Sequence, residues 1–489
     1  MTHDVLDRPA PPAAFEAARS PAPRSRERGA ELAVRIDRLL VAIDRVLGAQ
    51  VDAIIHHRRF QRLEASWRQL HLLVSTHGPG GREAASDGAP VLVRVMDVSW
   101  RELARDAQRA AEFDQSRLFD FVYSREFDMA GGQPFGLLIG DYEVSSGINA
   151  EHGTDDPDVL EAVSAVAAAA FAPFICSAAP ALLDVEAFAE LDRELDMAYL
   201  RDMDGNRRWN RLRAQADSRF LGVTCPRVLV RRPYRANDLG RNDGFPYRES
   251  VSPDGSTLLW GLSAWAMAHV VLREFATSGW FADIRGVRPA GDASGEGGGL
   301  VDQYPPFTFD TDAHGFAAQP PVEIRLAQSQ ERMLAEYGLI PLMPLPYSTA
   351  LAFNTNQSLH KVPRYDSEIA STNARIAAML QYVLCACRFA HYLKLIMREH
   401  TGSVASVGSL SQMLNGWLAR YCIGNDDADA EMKAKFPLRA ASIEVRAIPG
   451  RPGVYSSVLR LQPHFQLDDV QASFQLLTDM NENTGNVRG

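Results

Sequence analysis

The sequence predicts a mixed α/β (α+β) protein, a central body with an N-terminal helical arm and a C-terminal β-hairpin, on three observations. From Val91 onward, apolar runs of strand length alternate with runs at helical period. Long helix-period stretches precede and follow that region. Near the C-terminus, two alternating runs flank Pro449-Gly450-Arg451-Pro452-Gly453. Strands interleaved with helices belong to layered α/β architectures.

Residues 1–29 are rich in Pro, Ala and Arg without period, which predicts a disordered arm. From Glu31, the residues Leu32, Ile36, Leu39, Leu40, Ile43, Val46, Leu47, Val51 and Ile54 place one apolar stripe on a helix. A second helix carries Phe60, Leu63, Trp67 and Leu70 on one side, so residues 30–77 form an N-terminal helical region, followed by a Gly-rich loop from Gly78 to Gly88. The mixed body spans 90–423. In it, Val91–Val98 reads as a strand, and residues 100–113 as a helix with Ser99 as N-cap. FGLLIGDYEV reads as a strand, 157–172 as a helix and FICSAA as a short apolar strand. The strand-like run LGVTCPRVLVRRPY is interrupted by Pro226, Trp260–Thr277 reads as a helix, and Trp280–Val287 as a strand. A flexible segment runs from Pro289 to Gly299. PVEIRLA alternates like a strand, and a short helix closes at Gly338. Thr372–His400 reads as the longest helix, with another at Val404–Tyr421; an acidic linker then leads to a hairpin arm over 436–480.

Composition narrows the function. The 489 residues hold 51 Lys and Arg against 61 Asp and Glu, a net charge of −10 without a long basic run, which excludes a dedicated nucleic-acid binder. Five cysteines in so long a chain fit a reducing compartment better than a disulfide framework. The N-terminus has no continuous apolar stretch of the secretory kind, and the low-charge stretch Ala162–Ala181 is broken by Pro173 and Pro180. The expectation is a cytoplasmic protein without membrane insertion.

Enzyme signatures are thin. Gly295–Leu300 is glycine-rich but lacks the Lys-Ser/Thr of a phosphate loop, and GLSAW puts Trp265 where a nucleophile elbow needs Gly. Cys385, Cys387 and His391 share one helical stretch, yet no second ligand pair completes a zinc set. No catalytic residue, metal site or cofactor is expected. Two non-catalytic features remain. Arg388, His391, Lys394 and Arg398 build a cationic ridge at steps of three, three and four, either a solvated face or a contact for an acidic partner. A lone hairpin is marginal in water, so the C-terminal one either docks locally or pairs with strands of neighbouring chains.

FQRLEASWRQLHLLV after DAIIHH resembles the opening of the large subunit of the type VI secretion contractile sheath, the TssC/VipB family. The likeness continues in FDMAGGQPFGLLIGDYEV, FAPFICSAAPALL, DSRFLGVTCPRVLVRRPY, GWFADIRGV, GGGLVDQYPPFTF, TNARIAAMLQYVLCACRFAHYLK, FPLRAASIEV and LQPHFQL, in that order along the chain.

The resemblance implies a sheath-type body that pairs with a small sheath subunit (TssB/VipA-like). The pairs stack with neighbouring copies around an inner tube of Hcp-like hexamers. Such a sleeve assembles on a baseplate, contracts, and is disassembled by an AAA+ ATPase; here only Phe15–Arg19 resembles the helix that ATPase grips. For inter-subunit strand exchange, the expected contact residues are Ile443, Val445, Val454, Tyr455, Val458 and Leu461, with Lys394 and Arg398 on the ridge. Rival readings are the single-polypeptide sheath of a phage-tail-like particle and a cytosolic hydrolase.

Overall fold

The computed structural model describes residues 23–78, 81, 91–129, 131–149, 152–192, 206–236, 245–287, 297–308, 318–363, 365–400, 407–425, 428–447, 455–464 and 474–480. Two compact units divide the chain: Met1–His57 with Pro233–Val251, and Arg58–Arg232 with Ser252–Gly489. The Phe15–Arg19 stretch and Val454 lie outside the described residues.

In the first unit, α1 (Pro23–Ile55) runs for 33 residues. It begins ahead of Glu31, because proline suits the opening position of a helix, where its missing N–H has no intrahelical partner. Its end is tied to the 245–251 strap. Tyr247 donates its hydroxyl to Asp52 at 2.6 Å, and His56 Nε2 lies 3.2 Å from Glu249 Oε1. The apolar stripe is present as its spacing predicts, but Leu32, Ile36, Leu39, Leu40, Ile43, Val46 and Leu47 are all exposed.

The second unit holds the sheet. Its helices are α2 (Arg58–His77), α3 (Trp100–Arg109), the single turn α4 (Arg117–Phe119), α5 (Asp156–Ala170), α6 (Arg207–Ala214), α7 (Ser263–Ser278), α8 (Gln328–Glu336), α9 (Glu368–Ala377), α10 (Leu380–His400), α11 (Val407–Ala419) and α12 (Ala430–Lys435). Strands β1 (Leu138–Val144), β2 (Phe174–Ala178), β3 (Leu221–Cys225), β6 (Leu300–Val301), β7 (Ile340–Pro344) and β8 (Leu351–Phe353) form one sheet in the order β1-β2-β3-β7-β8-β6. The first four are parallel, and β8 is antiparallel to both its neighbours. Short strands β4 (Val228–Leu229) and β5 (Trp260–Gly261) pair with each other.

A parallel sheet has to be covered on both faces, and alternation along β2 shows how. Cys176 joins the core with Leu160, Val163 and Ala167 of α5, while Ile175 joins the one with Ala264, Met267 and Val271 of α7. The expected N-cap of α3 is made: Ser99 and Glu102 bond reciprocally in a capping box. The helix ending near Gly338 does so with that residue at φ +88°, where glycine has no Cβ to clash.

Several elements differ from expectation. Trp280–Val287 forms bends rather than a strand, and the PVEIRLA run contributes only a bridge from Val322 to Val228. The helix expected over Thr372–His400 is broken into α9 and α10. Met379 bridges to Gln357, and the Leu380 N–H donates to Asn356 O at 2.8 Å, diverting backbone groups from the helix. The C-terminal hairpin is real, as β9 (Leu438–Ala447) against β10 (Tyr455–Pro463), but β11 (Phe474–Met480) adds a third antiparallel strand in the order β11-β10-β9. Among the described residues, no helix is long and apolar enough to cross a membrane.

Candidate assembly interface

The C-terminal sheet shows which expected contact residues remain available to another chain. Register pairs Leu459 with Ile443 and Ser457 with Val445, which puts Ile443, Val445, Leu459 and Leu461 on one face. That face is buried against Phe389, Leu393 and Met397 of α10 and Leu410, Leu414 and Leu418 of α11. Of the two outcomes open to the hairpin, its inner face takes local docking. Val458, opposite Glu444, lies half-buried on the other face, and Tyr455 opens β10 between Ala447 and Met480. Aromatic rings reinforce the helices beneath: Trp280 stacks on Phe389 at 4.2 Å and meets Tyr421 edge-on at 4.9 Å, centroid to centroid.

The edges of this sheet differ. At β9, the Ile443 N–H donates to Asn415 Oδ1 at 2.9 Å, and Asn415 Nδ2 donates to Ile443 O at 2.8 Å. Ser411 Oγ adds a bond to the same carbonyl at 3.2 Å. Further along, Leu438 bonds Tyr421 and Ile423 through its backbone. One edge of the sheet is therefore closed by its own chain from Leu438 to Ile443. The opposite edge is β11.

The cationic ridge is taken up inside the unit. Arg388 lies 4.4 Å over the Phe275 ring and donates to the Tyr392 hydroxyl at 2.6 Å; burial lowers its pKa. His391 donates Nε2 to Ala170 O at 2.9 Å, and burial pushes it down to about 4. Lys394 sits 3.8 Å over Phe127 and 3.2 Å from Asp128, and Arg398 donates to Met129 O at 3.1 Å. The ridge joins α10 to the segment before β1. Burial likewise pushes the Cys225 and Cys385 thiols up to about 12, far from the thiolate a nucleophile or metal ligand requires.

The exposed apolar side of α1 is a further candidate contact surface, and its signal lies in the sequence: an apolar stripe sustained along a helix of 33 residues, with no companion helix among the described residues of its unit.

The tail sheath N-terminal domain of the EvpB/VC_A0108 type (VipB) matches residues 37–360, and the tail sheath gpW/gp25-like domain (VipB_2) matches 369–480. The chain belongs to the VipB tail sheath family. Its two matched domains meet between 360 and 369, inside the body that sequence patterning runs from 90 to 423. A relative, the type VI secretion system sheath protein TssC1 of Pseudomonas aeruginosa, is 34% identical over 448 residues, covering 91% of this chain and 86% of that protein. The sheath tail protein of Desulfitobacterium hafniense matches with a TM-score of 0.30 and 9% identity, over 67% of this chain and 61% of that one.

Proposed function

We propose that this VipB-family chain is the large subunit of a type VI contractile sheath, that it pairs with a small sheath subunit, and that the pairs polymerise around an inner tube. The observation that carries the reading is the match of both sheath domains across residues 37–480, together with identity to TssC1 over nine-tenths of the chain.

The physical features fit mechanical work. Head-to-tail contacts that do not close by symmetry generate filaments rather than rings. The exposed stripe of α1 is apolar surface of the kind that subunits bury on assembly. The C-terminal sheet, closed at β9, has β11 as the edge at which a neighbour's strand adds. Docking its inner face on α10 and α11 makes the sheet a stiff attachment rather than a loose arm. Contraction follows from a lattice trapped in an extended state and lower in energy once shortened. In this reading the sleeve stands on a baseplate in the cytoplasm, surrounds Hcp-like hexamers, is recycled by an AAA+ ATPase, and performs no covalent chemistry.

Co-expression with the small sheath subunit tests the pairing. A stable complex of the two chains through affinity and size-exclusion steps is expected. A monodisperse large chain that leaves the small one behind contradicts it.

A further inference from the structure

One strand-like run in the second unit lies outside its sheets. From Val91 to Ser99 the chain runs without turn or bend, yet it belongs to no strand. Among the described residues, no backbone N–H or C=O between Val91 and Asp97 makes a hydrogen bond. The first one used is Val98 O, which accepts the Tyr142 hydroxyl at 2.5 Å. The segment is nevertheless held in place. Val91 is buried, and Trp100 is buried with its ring 5.0 Å from that of Tyr142 on β1, the edge strand of the sheet. Arg94 pairs with Glu126 and lies 5.5 Å from the Phe135 ring. Meanwhile Leu92, Val95 and Met96 are 59%, 69% and 47% exposed.

A positioned run of β-formers whose seven residues make no backbone hydrogen bond among the described residues suits one kind of ligand, another strand. We propose that Val91–Asp97 is an acceptor strand completed in the assembled protein by an extended strand of the small sheath subunit, an inference that rests on the sheath reading above. The chain's own terminal stretches outside the described residues are poor occupants. Residues 1–22 carry Pro9, Pro11, Pro12 and Pro21, which lack N–H donors, and 481–489 hold Val487 as their one large apolar residue. Two copies pairing through this same segment would make a two-fold contact that closes on itself and adds nothing to a filament. Along the acceptor, Leu92 and Met96 share one face on either side of Arg94, which Glu126 already pairs, so the partner places apolar residues beside Leu92 and Met96.

Hydrogen–deuterium exchange on the full chain, alone and in complex with the small sheath subunit, tests this. Amides of 91–97 are expected to exchange quickly in the free chain and about a hundredfold more slowly in the complex. Val95→Pro and Met96→Pro, made separately because successive N–H groups point to opposite edges, each remove one donor. At least one should cut recovery of the small subunit about tenfold while leaving the thermal midpoint of the free chain unchanged. A complex that forms with 91–97 unprotected, or that tolerates both prolines, overturns this proposal and leaves the sheath reading standing. Concentration-dependent protection in the free chain overturns it in favour of self-pairing. Failure to form any complex overturns both.

Discussion

The side-chain amide of Asn415 bonds both backbone groups of Ile443, its Oδ1 accepting from the N–H at 2.9 Å and its Nδ2 donating to the carbonyl at 2.8 Å. One residue of α11 thus stands where a neighbouring strand would otherwise lie. It fixes the C-terminal sheet on its helices and closes the β9 edge to strand addition. Asn415→Leu keeps the shape and removes both bonds, leaving a partly buried donor and acceptor unmet. The expected loss is about 1–3 kcal/mol, read from the urea midpoint. An unchanged midpoint would show that water replaces the amide without cost.

Asp156 is fully buried and faces five donors: Trp100 Nε1 at 2.7 Å, the Ser145 N–H at 2.8 Å, Asn149 Nδ2 at 2.9 Å, Ser145 Oγ at 3.0 Å and Thr154 Oγ1 at 3.4 Å. It thereby ties α3, the end of β1 and the loop before α5 together. Asp156→Ala strands several buried donors at once, and a loss of about 3–5 kcal/mol is expected in equilibrium unfolding. A loss under about 1 kcal/mol would mean that the loop relaxes to let water in.

His77 on α2 and His269 on α7 meet at 3.1 Å between ring nitrogens in the core. Burial, with Arg273 nearby, holds them down to about 4 and about 3. An unfolded chain takes up these protons near pH 6.5 and the folded one resists until far lower. Their contribution is therefore intact above pH 6.5 and is lost as the pH falls towards 4. Glu323, raised by burial to about 6, works in the opposite sense, so the test is a difference. Between pH 7 and 4.5, stability should fall less steeply for His269→Gln than for the natural chain. Equal slopes would contradict the pair's role.

Much of the architecture was legible in sequence. Period and length placed α5, α7 and the parallel strands β1, β2 and β3, though not β7, and Ser99 and Gly338 marked helix ends, because those signals are local. What local pattern missed or left open was set by distant partners. The Thr372–His400 periodicity cannot reveal that Asn356 and Gln357 reach in to break a helix at Met379 and Leu380. The cationic spacing of Lys394 and Arg398 left a solvated face and a contact for an acidic partner both open, and could not reveal their bonds to Asp128 and Met129, more than 250 residues away in sequence. For Ile443 and Val445, alternation identified a one-sided strand but not what its apolar side covers. Because that side is core, deleting residues 440–489 would strip α10 and α11 as well as the sheet, so loss of polymers after that deletion would not by itself isolate a role in exchange.

The central claim is that this polypeptide is a brick of a tubular sleeve. Negative-stain electron microscopy of the full chain co-expressed with the small sheath subunit tests it most directly. Long hollow tubes of uniform width, containing both chains, are the expected result. Discrete particles of one heterodimer at every concentration tried, with no tubes, would contradict it.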